Sequence, residues 1–80
     1  MTEMPTIDHE LDCRGLSCPL PIIKTKKAID GLAPGQTLRM IATDPGSVND
    51  MAAWVSKTGH VMVAQTQDTG GFNFYIRKVG

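Results

Sequence analysis

Apolar residues along this chain recur with two different periods, and the switches between them divide it into six elements. Residues 9–14 alternate. Leu11 and Cys13 share one face and Asp12 and Arg14 the other, which predicts a short strand ended by Gly15. From about Pro19 to Gly31 the period becomes helical. Ile22, Thr25, Ile29 and Leu32 form one stripe, widened by Ala28, while Lys24 and Lys27 lie on other faces. Gly31 and the Leu-Ala-Pro-Gly that follows stop this helix.

Residues 37–43 are apolar on both faces and predict a central strand. A second helix is expected from Val48, Met51, Ala52 and Val55, spaced i, i+3, i+4, i+7, with Gly59 as its closing residue. Its start allows two caps: Asp44 with Pro45 in the first helical position, or Ser47 with Asp50 three residues on. Residues 60–67 and 72–78 read as strands joined through Asp68-Thr69-Gly70-Gly71, a hairpin. Arg77 and Lys78 close the last strand and are expected at the surface.

The order β-α-β-α-β-β predicts an α+β fold, a two-layer α/β sandwich with two helices packed on one face of a four-stranded mixed sheet. Eighty residues suffice for one core. The expected organisation is a flexible tail over 1–8 and a single domain over 9–80.

One stretch is unusual for a helix entrance: Gly15-Leu16-Ser17-Cys18-Pro19-Leu20-Pro21. Proline is tolerated in a first helical turn because the N–H groups there lack intrahelical partners. With Cys18 at the N-cap, Pro19 falls at N1 and Pro21 at N3. The prolines then fix where the helix begins and hold the thiol at its tip. The positive end of the helix favours a thiolate, the nucleophilic form. Pro21 has no N–H, so Leu20 is the main amide left to solvate the sulfur, and only a modest fall in the Cys18 pKa is expected. Arg14, Lys24, Lys26 and Lys27 could add positive potential. The alternative, Cys18 packed as a small hydrophobe, fits poorly at a helix tip between Ser17 and Pro19.

Charge narrows the partners. Lys plus Arg equals Asp plus Glu, 8 against 8, which disfavours nucleic acid as the main partner. No apolar run approaches a membrane span, and the opening MTEMPTIDHE has no signal-peptide pattern. A cytoplasmic setting is expected, in which two cysteines are thiols rather than a structural disulfide.

These residues together resemble the TusA/SirA-like sulfur carrier family. The likeness rests on Cys18-Pro19-Leu20-Pro21 opening the first helix, on the preceding Leu11-Asp12-Cys13-Arg14-Gly15-Leu16, on IATDPGSVND, and on the closing YIRK. It covers about residues 10–78, and it implies the same β-α-β-α-β-β sandwich. It also implies sulfur relay, with Cys18 as the nucleophile that takes a sulfane sulfur as a persulfide. The donor would be a cysteine desulfurase or rhodanese, and the acceptor a downstream thiol such as that of a DsrE/TusD-like protein. Members serve tRNA thiolation, molybdenum cofactor maturation or sulfur oxidation, and some are linked to selenium or thiosulfate. No cofactor or metal is implied, and a monomer is the default for a protein handed between partners.

The remaining candidates are weighed on their residues. Gly15, Pro19 and Pro21 support the motif. Cys13 shares a strand face with Leu11, so it reads first as core and second as a resolving thiol for Cys18. Arg14, Lys24, Lys26, Lys27 and Asp44 could dock a partner, against the plainer reading of solvated faces and, for Asp44, a helix cap. His9 and His60 are isolated, and with the two cysteines they match no zinc spacing. Trp54 should be partly buried. The rival function is a regulatory or adaptor domain that binds a protein without carrying sulfur.

Overall fold

The computed structural model describes residues 7–17 and 20–80. Its elements run β1 (His9–Cys13), α1 (Leu20–Asp30), β2 (Thr37–Ala42), α2 (Gly46–Thr58), β3 (Val61–Asp68) and β4 (Gly71–Arg77). The strands form one sheet in the order β1-β2-β4-β3. β1 and β2 are parallel, and β2–β4 and β3–β4 are antiparallel, so the sheet is mixed. β2 is central, as its two-sided apolar pattern requires.

Alternation along the strands sends one set of side chains under the helices. Leu38, Met40 and Ala42 of β2, Phe74 and Ile76 of β4 and Cys13 of β1 are fully buried, and they form one cluster with Ile29 of α1 and Met51 and Val55 of α2. Both helices therefore lie on the same face. The other face carries a polar ladder across all four strands. The Arg39 guanidinium donates to Glu10 on β1 and, at 3.1 Å, to Asn73 on β4, whose amide donates at 3.1 Å to Asp68.

The expected helical stripes need one adjustment. In α1, Pro21, Thr25 and Ile29 are buried, and Ile22, Ala28 and Leu32 flank them. In α2 the buried residues are Ser47, Met51 and Val55, and Ala52 is exposed. A step of about 100° per residue explains the difference, because an arc centred between Ser47 and Met51 leaves Ala52 well round the side. Small Ser47, not Ala52, faces the sheet layer. The Ser47–Asp50 cap is therefore excluded, since Ser47 lies inside the helix. The Asp44 carboxylate instead accepts the Gly46 N–H at 3.1 Å, and Pro45 already has helical torsions of φ −57° and ψ −28°.

The hairpin forms where expected, with Asp68 opposite Gly71. Gly71 is obligatory there. Its φ is +134°, and a Cβ would sit 2.5 Å from the Ala42 carbonyl oxygen. A register shift between Met62 and Ala64 interrupts edge strand β3, which the sequence pattern did not announce.

Two terminal expectations change. Asp8, assigned to the flexible tail, is held by β2: its N–H donates to the Thr37 carbonyl at 2.9 Å and its carboxylate accepts the Thr37 N–H at 2.8 Å. Of the rest of the tail, residues 1–6 lie outside the described residues. Lys78 is only half exposed, because its ammonium reaches back to the carbonyls of Leu32 (2.7 Å) and Asp30 (3.4 Å) at the C-terminal end of α1. A cation there satisfies carbonyls that the helix leaves unpaired. Among the described residues no helix is long and apolar enough to cross a membrane.

Candidate functional site

The parallel pairing of β1 and β2 decides where the chemistry sits. Cys13 and Ala42, the last residues of the two strands, are register partners. Each strand leads toward a helix, so the described residues after each strand, 14–17 and 43–45, leave the same edge of the sheet. They are stitched together by the Gly15 N–H, which donates to Thr43 Oγ1 at 2.9 Å. Gly15 has φ +79°, a left-handed backbone that a side chain would strain, so this turn needs glycine. The turn is closed by Leu16 N–H on the Cys13 carbonyl at 3.2 Å.

Cys18 and Pro19 lie outside the described residues, and so does the expected N-cap geometry of the thiol. Their neighbours are fixed. The Leu20 N–H donates to the Ser17 carbonyl at 3.0 Å, tying the two ends of the Cys18–Pro19 pair together. The Leu20 amide, expected to solvate the Cys18 sulfur, thus has a described partner in Ser17, and its relation to the sulfur lies outside the described residues. Leu20 is the first described residue of the helix, and the expected placement of Cys18 and Pro19 ahead of it lies outside the described residues. Pro21 is fully buried, and its carbonyl accepts the Thr25 hydroxyl at 2.7 Å. Below the motif, then, α1 is anchored by a proline wedged into the core.

The cations differ in availability. Arg14 is clasped by Asp12: Nε and Nη2 each donate at 3.0 Å to the two carboxylate oxygens, and the Arg14 N–H donates to one of them at 3.0 Å. These bonds hold the exposed Asp12 carboxyl at about 2, well below the usual carboxylate range. Lys26 pairs with Asp30 at 3.2 Å, one helical turn on. Lys24 and Lys27 are exposed, and among the described residues neither joins an ion pair. Lys24 lies near enough to Cys13 for its charge to favour that thiolate.

Cys13 is fully buried beneath the junction, and burial pushes its thiol pKa up despite Lys24. A protonated, enclosed thiol is a poor nucleophile. Asp44 flanks the same edge as the cap of α2. His9 stands at the start of β1. His60 stands before β3, where Nδ1 accepts the Val79 N–H at 3.1 Å and the ring meets Trp54 at 5.5 Å between centroids. Neither histidine belongs to the junction edge. What the sequence missed lies on α1: Leu20 and Ile23 are 44% and 46% exposed beside the motif.

Comparison with known proteins follows from this geometry. Residues 9–78 match the family model described as "Sulfurtransferase TusA". The chain is 45% identical over 75 residues to the sulfur carrier protein TusA of Allochromatium vinosum, covering 94% of this chain and 99% of that one. It is also 45% identical over 71 residues to the putative sulfur carrier protein YrkI of Bacillus subtilis, covering 89% of this chain and 95% of that one. Among solved structures, a SirA-like protein from Desulfitobacterium hafniense superposes with a TM-score of 0.78 at 22% identity, over 90% of this chain and 99% of that one. That likeness speaks for the fold.

Proposed function

Since the chain belongs to the TusA sulfurtransferase family, we propose that it is a sulfur carrier whose Cys18 holds the cargo as a persulfide. The observation that carries the reading is the Cys18-Pro19-Leu20-Pro21 motif at the entrance of α1, within a chain that matches the family from 9 to 78. The tied flanks Ser17 and Leu20, the glycine turn at Gly15 and the buried Pro21 support it, because together they fix the chain on either side of the cysteine.

The proposed cycle has two exchanges. The Cys18 thiolate attacks the outer sulfur of a persulfide on a donor protein. A new S–S bond forms at Cys18, the donor's own S–S bond breaks, and the donor leaves as a thiolate. In the second exchange an acceptor thiolate attacks the outer sulfur held by Cys18, and Cys18 departs as thiolate. No net oxidant is consumed. Donors of the desulfurase or rhodanese type and a protein thiol as acceptor fit this chemistry in a cytoplasmic setting. Cys13 serves packing.

A chase experiment tests the relay. Protein loaded with radiolabelled sulfur is separated from its donor and mixed with an acceptor of the DsrE-like family. The label should pass to the acceptor, and Cys18→Ser should never take it up. Retention of biological function by Cys18→Ser would instead favour a protein-binding adaptor.

A further inference from the structure

Thr43, the first residue after β2, reaches both neighbouring strands with one side chain. On the β1 side its Oγ1 accepts the Gly15 N–H at 2.9 Å, across 28 residues of sequence. The β1–β2 ladder ends at Cys13 and Ala42, so this bond carries the pairing one step further, with a hydroxyl in place of a backbone carbonyl. On the β4 side its methyl lies against the hairpin. Ala42 opposes Phe72, which brings Thr43 beside Gly71, and a Cβ added to Gly71 would sit 3.3 Å from Thr43 Cγ2. The missing side chain at Gly71 leaves the room that the threonine methyl uses. A β-branched side chain has few χ1 choices, so seating the methyl also aims the hydroxyl.

We propose that Thr43 is a positioning residue for sulfur exchange at Cys18, acting through the Gly15 turn. The inference deepens the carrier reading above and rests on it. Gly15, at φ +79°, stands where the chain leaves the sheet, three residues before Cys18. Of the hydrogen bonds made by residues 14–16 to described residues, those of Arg14 to Asp12 and of Leu16 to Cys13 return to β1 itself. The Gly15–Thr43 bond is the one that refers the turn to another strand, and through the Thr43 methyl to the hairpin beyond it. In the exchange, the Cys18 thiolate attacks the outer sulfur of the donor persulfide and the donor departs as a thiolate. Three sulfur atoms on two proteins must come into line at that step, so a thiol whose base wanders loses rate. A small alkylating reagent makes no such demand, because it aligns itself.

The test isolates the hydroxyl twice. Thr43→Val keeps the shape of wild type and removes the acceptor. Thr43→Ser and Thr43→Ala both lose the methyl and differ from each other by the hydroxyl alone, so this pair decides if Thr43→Val does not fold. Amide hydrogen exchange reads the bond: the Gly15 N–H should exchange about ten-fold faster in Thr43→Val and Thr43→Ala than in wild type and Thr43→Ser. Sulfur loading is then followed against the concentration of a cysteine desulfurase supplied with cysteine. The maximal rate should fall about five-fold or more in Thr43→Val and Thr43→Ala, the half-saturating concentration should stay within about two-fold, and Thr43→Ser should recover most of the lost rate. Iodoacetamide should still modify Cys18 alone in every variant, whereas a loosened fold would expose Cys13 as well. Wild-type loading rates in both variants without the hydroxyl, or a Thr43→Ser as slow as Thr43→Ala, overturn the positioning role and leave the carrier reading standing. Failure of wild type to load overturns the carrier reading, and this inference with it.

Discussion

The two cysteines divide the chemistry by environment. Cys13 is fully buried with its pKa raised, whereas Cys18 is the thiol of the proposed relay, with Ser17 and Leu20 on either side of its motif joined by a hydrogen bond. Iodoacetamide at neutral pH should therefore modify one thiol in the folded protein and both in denaturant, with mass mapping assigning the first to Cys18. Alkylation of Cys13 at the same rate in the native state would contradict this. The Asp12–Arg14 clasp gives a second prediction. A carboxyl held at about 2 by its hydrogen bonds to Arg14 contributes to the fold above the ordinary carboxylate pKa, and that contribution is lost as pH falls from about 4 toward 2. Carboxyl carbon NMR should find the Asp12 midpoint near 2, and an ordinary midpoint near 4 would mean that the clasp does not persist in solution. The presence of Asp12 and Arg14 was plain in the sequence, but their mutual neutralisation was not. Residues two apart on a strand share a face, yet whether a side chain turns back to its neighbour or outward to a partner depends on rotamers that no periodicity encodes.

Elements were legible where one period ran long enough. All six appear in the expected order, and most bounds differ from the pattern by a residue. The errors have a common source. Ala52 was placed inward because apolar spacing cannot tell a small inward residue from a small outward one, and Ser47, polar by type, took the packed position. The β3 register shift left no mark because the stretch Val61-Met62-Val63-Ala64 around it is apolar throughout and shows no break in alternation. Glycines were readable as punctuation but not ranked by need. At Gly15 a side chain meets open space and only the backbone is strained, whereas at Gly71 it meets the Ala42 carbonyl as well. Urea unfolding should rank the substitutions accordingly. Gly15→Ala should cost about 1 kcal/mol. Gly71→Ala should cost clearly more, because a backbone contact of 2.5 Å can be relieved only by moving β4 from β2. Equal costs would place the hairpin farther from β2 than described.

At the scale of the whole molecule, two parallel strands deliver two helix entrances to one edge, and the rest of the sheet holds that edge in place. The core cluster fixes α1 along its length, Lys78 caps its far end, and the Gly15–Thr43 bond ties its entrance to β2. The motif that carried the resemblance was visible in eleven residues, Leu11 to Pro21, because proline and glycine positions are local. The outer face of α1 was half visible: its lysines were noted as charges, but the exposure of Leu20 and Ile23 depends on how α1 is rotated over the sheet, which only the packed structure reveals. The central claim remains that Cys18 carries one sulfur atom at a time. Its most direct test is intact-protein mass spectrometry after incubation with a cysteine desulfurase and cysteine, with Cys18→Ser and Cys13→Ser alongside. A gain of one sulfur atom, removed by reductant, present in wild type and Cys13→Ser and missing from Cys18→Ser, is the predicted result. The same gain in Cys18→Ser would contradict the account, since the sulfur would then reside elsewhere.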